Sequence, residues 1–204
     1  MKDLQIYGSG GHSYAVIELV RSLAEYNPVR VVDDNPKVNS ILNVPVYLTN
    51  EKFKSMPTVI GIGDNYTRKN LSKIIDAPFP SFVHGSAIVY PSASIGAGSV
   101  VFPNSVVDAA VSIGEFCVIN NNATISHNAK IGNFVHVAIQ ASIAGGVIVG
   151  EGTLIGAGSV ILPEVKIGKW VIIGAGAIVT KDIPDNAVVY GNPAKIIKYN
   201  NERK

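Results

Sequence analysis

Two histidines stand nine residues apart in the run ATISHNAKIGNFVHVAI, residues 123–139, whose other members are mostly small or aliphatic. An imidazole titrates near neutral pH, so His127 and His136 can each accept a proton from an attacking nucleophile, hydrogen-bond a ligand or bind a metal. The alternative is a ring that is structural or simply exposed. A hydrating zinc centre needs three convergent histidines including a short-spaced pair, and the four available, His12, His84, His127 and His136, offer none.

A second concentration of usable groups is IYGSGGHS, residues 6–13, which follows a predicted strand and opens a predicted helix. Backbone N–H groups and the helix dipole can receive a phosphate there. The run fits G-x-G-x-x-G only at Gly8 and Gly10, because Ser13 takes the third place, so it reads either as a phosphate cradle or as a tight strand-to-helix turn. Asp33 and Asp34 end the next strand about 23 residues on, where parallel-sheet folds put a carboxylate on a ribose or base. GIGDN, residues 61–65, ends a third strand beside the same edge. Three loops at the carboxyl ends of adjacent strands would share one crevice, and a unit of this size suits a mononucleotide better than a dinucleotide.

The elements that carry these groups fall into two parts. Residues 1–80 alternate short apolar strands with helix-like segments, notably 12–26 and 65–75, and read as a Rossmann-like βαβαβ unit with a parallel sheet. The boundary falls at DAPFPSF, residues 76–82. From Val83 onward every sixth residue through Val179 is Val or Ile, giving 17 uninterrupted hexads over a domain of residues 81–204. Neither a helical period of 3.6 nor a strand period of 2 produces that beat. A triangular parallel β-helix does: each hexad makes one face and a corner, three make a coil, and the branched residue points inward onto its equivalent 18 residues away. With neighbouring strands about 4.8 Å apart the prism is roughly 27 Å tall. Cys117 falls among small apolar residues of this pattern and reads as a buried hydrophobe. The tail beyond DIPDN is expected to cap the last coil.

A formal charge of +2 on 204 residues with scattered Lys and Arg gives no basic face for nucleic acid, and no apolar run spans a bilayer. One cysteine and no signal-like start make the reducing cytoplasm the expected location.

In combination, YGSGGH, VVDD, GIGDNYTRK, FVHGSA and then continuous hexads resemble the hexapeptide-repeat sugar acyltransferases that include bacillosamine-type UDP-4-amino-sugar N-acetyltransferases and sialic acid O-acetyltransferases. The resemblance implies a left-handed β-helix, a homotrimer, acetyl-CoA lying along the prism between subunits, and a sugar nucleotide on the N-terminal unit. By that resemblance Gly10, Gly11 and His12 meet the UDP phosphates, Asp33 and Asp34 the uridine, and Asn65 and Arg68 complete the pocket. Arg68 reads equally well as a solvated helix residue. The segment ISHNAKIGNFVHV is similar to the family's active-site stretch. It implies His127 as general base, His136 as a partner of acetyl-CoA, Gly145 as backbone donor to the oxyanion, and the backbones at Ala157 and Ala175 along the path of acetyl-CoA.

One residue departs from the family pattern: Asn128 stands where Glu or Asp usually follows the catalytic histidine. An amide can hold the ring's tautomer but cannot neutralise its charged form. Gln140 also replaces an expected small residue. The reading favoured is acetyl transfer to the amine of a UDP-linked 4-amino-4,6-dideoxy sugar destined for a surface glycan. O-acetylation with the same residues, or an inactive sugar-nucleotide binder, are the alternatives.

Overall fold

The six-residue beat becomes three stacks of two-residue strands in the computed structural model, which describes residues 1–49 and 56–200. The N-terminal unit comprises β1 (Lys2–Tyr7), α1 (Gly11–Ser22), β2 (Tyr26–Asp33), β3 (Ser40–Ile41), β4 (Val44–Leu48), β5 (Thr58–Ile60) and α2 (Asn65–Ile74). Its sheet runs β3-β4-β2-β1-β5, parallel except for the β3/β4 pair. After β2 the described residues form the β3–β4 hairpin, with both loop residues, Leu42 and Asn43, at positive φ. Such turns match the twist of the strands they join.

Seventeen strands, from β6 (Phe82–Val83) to β22 (Ile178–Val179), build the parallel β-helix. Face 1 stacks Phe82–Val83, Val100–Val101, Val118–Ile119, His136–Val137, Leu154–Ile155 and Ile172–Ile173. Face 2 contains Thr124–Ile125 and Ser142–Ile143, and face 3 contains Lys130–Ile131 and Ile148–Val149. Each pairing advances by 18 residues, as Val118↔His136↔Leu154 shows. The inward Val and Ile from Val101 to Val179 are at most 4 % exposed, and each contributes about 1.5–3 kcal/mol by leaving water. On the first coil Val83, Val89 and Ile95 are only partly buried. Cys117 is buried, and burial pushes its thiol up to about 11, so it is inert as a nucleophile.

The corners follow their own rule. From Gly98 to Gly176 every sixth residue takes a left-handed conformation, with φ between 53° and 71°. Glycine, asparagine, aromatic residues and Glu164 all occupy this position. At the top, β23 (Ala187–Tyr190) extends face 1 in parallel and β24 (Lys195–Tyr199) folds back antiparallel, covering the last coil; residues 201–204 of the predicted cap lie outside the described residues.

The N-terminal unit sits on face 1, because the outward residues there are apolar. Phe82, Val100, Phe102 and Val118 share a core with Leu4, Ile6 and Val16, while Phe116 and Phe134 pack with Tyr7, Val32 and Leu71. This leaves the corner between faces 2 and 3 on the opposite side of the prism from the sugar-nucleotide crevice predicted on the N-terminal unit.

Candidate active site

His127 lies at that opposite corner, just after Thr124–Ile125, and its ring is exposed. Asn128 makes the turn at φ 63°, a conformation asparagine adopts more readily than most residues. Its Oδ1 lies 3.2 Å from His127 Nδ1. One coil further on, a Cβ built on Gly145 would fall 2.5 Å from His127 Cε1 and 2.7 Å from Nε2, so the imidazole lies directly against that glycine. Only glycine leaves room for the ring in this place.

The backbone around Gly145 is held on both sides. Gly146 N–H donates to the His127 carbonyl at 3.0 Å, and Glu164 N–H donates to the Gly145 carbonyl at 3.0 Å. Gly145 N–H itself has no acceptor among the described residues. The preceding residue explains this. Where Asp108 or Asn120 occupies the equivalent place, its side chain accepts the next N–H, of Ala109 or Asn121. Ala144 has no acceptor to offer. A free, fixed N–H beside an imidazole is the arrangement that stabilises a developing oxyanion. His127, Asn128, Gly145, Gly146, Pro163 and Glu164 surround a crevice of about 400 Å³.

His136 is nine residues away and therefore half a coil round, on face 1 under the N-terminal unit. Its Nε2 lies 3.3 Å from Asn120 Nδ2, and its ring lies 6.3 Å from that of His12. Burial, helped by the Arg68 and His12 charges and opposed by a hydrogen bond to the Gly63 backbone, pushes His136 down to about 4. His136 is thus a neutral hydrogen-bonding group near pH 7, unsuited to take a proton there. It borders a second cavity of about 270 Å³ with Gly63, Asp64, Asn65, Leu154 and Trp170.

The N-terminal candidates divide into open and committed groups. Gly10 caps α1 without any side-chain hydrogen bond, and a Cβ at Gly10 or Gly11 would meet nothing within 4 Å. The glycines therefore keep open space in front of a helix N-terminus, as a phosphate cradle requires. His12 is turned into the seam against Phe102, with Nε2 buried and unpartnered. Burial and then the Arg68 charge push His12 down to about 4, so it brings no positive charge to a phosphate at neutral pH. Asp33 takes Ser9 N–H at 2.6 Å and the Ser9 hydroxyl at 2.8 Å, fixing the glycine loop. Burial pushes its carboxyl up, but hydrogen bonds from Asn35 and Ser9 outweigh this and hold it below the usual carboxylate range. Asp34 accepts from the Tyr7 hydroxyl at 2.6 Å.

Arg68 is not a solvated helix residue. It is 2 % exposed, and its guanidinium donates to the carbonyls of Phe116, Phe134, Ile62 and Gly63 and to Asn65 Oδ1. Asn65 Nδ2 reaches the Gly152 carbonyl at 3.0 Å. These two residues stitch α2 onto the β-helix corners. Ala157 and Ala175 occupy the third corner, between faces 1 and 2, where both are exposed and the adjoining Gly158 and Gly176 leave bare backbone. Gln140 is exposed at the same corner. One chain thus brings His127, Asn128 and Gly145 together, and places His136 and Ala157 on other sides of the prism.

A model of the PglD N-terminal domain matches residues 3–75, and a model of the bacterial transferase hexapeptide matches residues 128–163 and 146–181. The acetyltransferase domain of PglB from Neisseria gonorrhoeae FA1090 is 32% identical, covering 97% of this chain and 100% of that one with a TM-score of 0.90. The chain belongs to the hexapeptide-repeat sugar acyltransferases. Another member, PerB from Caulobacter crescentus, solved with CoA and GDP-perosamine, is 32% identical over 97% of this chain and 98% of that one, with a TM-score of 0.89. A UDP-N-acetylbacillosamine N-acetyltransferase from Bacillus subtilis (strain 168) is 34% identical over 111 residues, and the match spans about half of that protein, 51%.

Sequence reasoning missed one contact of this candidate site and the cause of one of its features. Asn120, which contacts His136, gives no signal beyond sharing a face one coil away. Gly145 was named, but its free N–H follows from Ala144, a residue with no apparent significance in the sequence.

Proposed function

We propose that the chain transfers the acetyl group of acetyl-CoA to the amine of a UDP-linked amino sugar of the 4-amino-4,6-dideoxy type. The observation that carries this reading is the His127 ring lying against Gly145, whose N–H is free, in an open crevice. His127 takes a proton from the amine as nitrogen attacks the thioester carbonyl. The new C–N bond turns the carbonyl oxygen into an oxyanion, which the Gly145 N–H receives. Collapse breaks the C–S bond, and the imidazolium returns its proton to the departing thiolate. Asn128 holds the ring through Nδ1. The bare backbone at Ala157–Gly158 and Ala175–Gly176 offers hydrogen bonds to the amides of an extended co-substrate arm, and His136 offers a neutral one. The relatives' names support nitrogen as the acceptor and CoA as the carrier.

The active unit in this proposal is a homotrimer. One chain holds its glycine-loop crevice over face 1 and His127 at the corner opposite, so the sugar bound by one subunit meets His127 of a neighbour across a threefold axis. Both co-substrates are cytoplasmic metabolites, which is where this reading places the enzyme. A thiol-release assay with acetyl-CoA against UDP- and GDP-linked amino sugars and free sugars tests the proposal. Release only with a nucleotide-linked amine supports it, and release with hydroxyl acceptors alone refutes it.

A further inference from the structure

Glu164 stands two coils above Asn128 at the same corner. The corner column reads Asn128, Gly146, Glu164, and all three are left-handed, with Glu164 at φ 62°. Glutamate gains nothing from that conformation, and glycine fills the same place at Gly152, Gly158 and Gly176. The side chain is exposed and runs past Gly146: a Cβ built there would stand 3.4 Å from Glu164 Cγ, an ordinary contact. The Glu164 backbone is pinned to the Gly145 carbonyl. Glu164 makes no ion pair among the described residues, and of the groups lining the His127 crevice it alone is a carboxylate.

A carboxylate without an ion-pair partner among the described residues, lining the same crevice as the His127 ring, offers a place for a positive charge. We propose that Glu164 is a specificity residue that binds the acceptor's ammonium group and brings it to His127, selecting amines over hydroxyls. The inference rests on the acetyl-transfer reading and names how that site chooses its acceptor. In water near pH 7 an amino sugar is largely protonated, so it arrives as a cation, whereas a hydroxyl sugar is neutral at the same carbon. The bound ammonium gives one proton to water to free its lone pair, and the amine then loses a second to His127 as nitrogen attacks. The anchor lies on the protomer that supplies His127, which fits an acceptor presented by the neighbouring subunit. The negative charge missing at Asn128 is present two coils away, displaced from the imidazole toward the entering substrate.

The test compares wild type, Glu164→Gln and Glu164→Gly with acetyl-CoA and two acceptors, a UDP-linked 4-amino-4,6-dideoxyhexose and its 4-hydroxy counterpart. Glu164→Gln is expected to raise KM for the amine by about ten- to a hundredfold, the value of a hydrogen bond to a charged group, with kcat and the KM for acetyl-CoA held within threefold. Binding of the hydroxy analogue is expected not to change, so the preference for amine disappears. Glu164→Gly is expected to melt about 2–4 °C higher, because the strained conformation is relieved, while losing the same affinity. Unchanged KM in both variants, or an equal loss for both acceptors, overturns the inference. Absence of acetyl transfer by the wild type refutes the parent reading instead, which keeps the two failures apart.

Discussion

Gly145→Ala isolates the contact on which the catalytic geometry depends. The new methyl would fall 2.5 Å from Cε1, 2.7 Å from Nε2 and 3.1 Å from Nδ1 of His127. Carbon atoms in contact normally stay about 3.5–4 Å apart, so the ring must withdraw by roughly 1 Å. The ring is exposed and can swing outward, and Gly145 is not in the left-handed region, so the fold should lose less than about 1 kcal/mol. The backbone N–H survives the substitution. A displacement of that size between base and acceptor costs on the order of a hundredfold in rate. Steady-state acetylation with saturating acetyl-CoA should therefore show kcat down about a hundredfold, with the melting temperature within a few degrees of wild type. A variant that retained full kcat would refute the claim that the ring works from its position against Gly145. A variant that unfolded would show that the corner has no room to adjust.

Three other outcomes are expected. Arg68→Met leaves four buried carbonyls without their donor, so it should cost about 3–5 kcal/mol and lower the melting temperature by roughly 6–20 °C in a thermal scan. His12 and His136 sit at about 4 in the folded chain because burial disfavours their charge, against 6.5 for a free ring. The unfolded chain binds these protons as pH falls through about 6.5 and the native chain does so only near 4, so stability is full above 6.5 and declines between the two values. The slope is at most about 1.4 kcal/mol per pH unit for each ring, and His12→Phe should make the melting temperature fall less steeply over that window. Gly11→Ala meets no atom of the protein, so it should leave stability intact while raising KM for the sugar nucleotide; an unchanged KM would mean that no phosphate approaches the loop.

The β-helix was legible because one side-chain position in six must be branched and apolar whatever surrounds it, and the 18-residue stacking then sets the register. The corner rule was not, because Asn128, Phe134, Gln140 and Trp170 share a backbone conformation but no chemical type. Asn128 is therefore a departure from the family in charge and a good fit in conformation. Arg68 reads in sequence as one more polar helix residue; its acceptors at Phe116 and Phe134 are 48 and 66 residues away, beyond any local pattern. The β3–β4 hairpin escaped notice because Leu42-Asn43 is a weak turn signal compared with Asn-Gly. His127 and Gly145 were found together because their 18-residue separation is one coil, the same arithmetic that revealed the fold. The split between His127 and the glycine loop could not be read, since hexad phase places a residue on a corner without saying which face another domain will cover.

The most direct measurement is single-turnover acetyl transfer by His127→Ala, alongside its equilibrium binding of the sugar nucleotide. The account predicts acetylation reduced by about a hundredfold or more with the nucleotide affinity unchanged, because the ring touches the reacting amine and the nucleotide is held elsewhere. Transfer at the wild-type rate would contradict it.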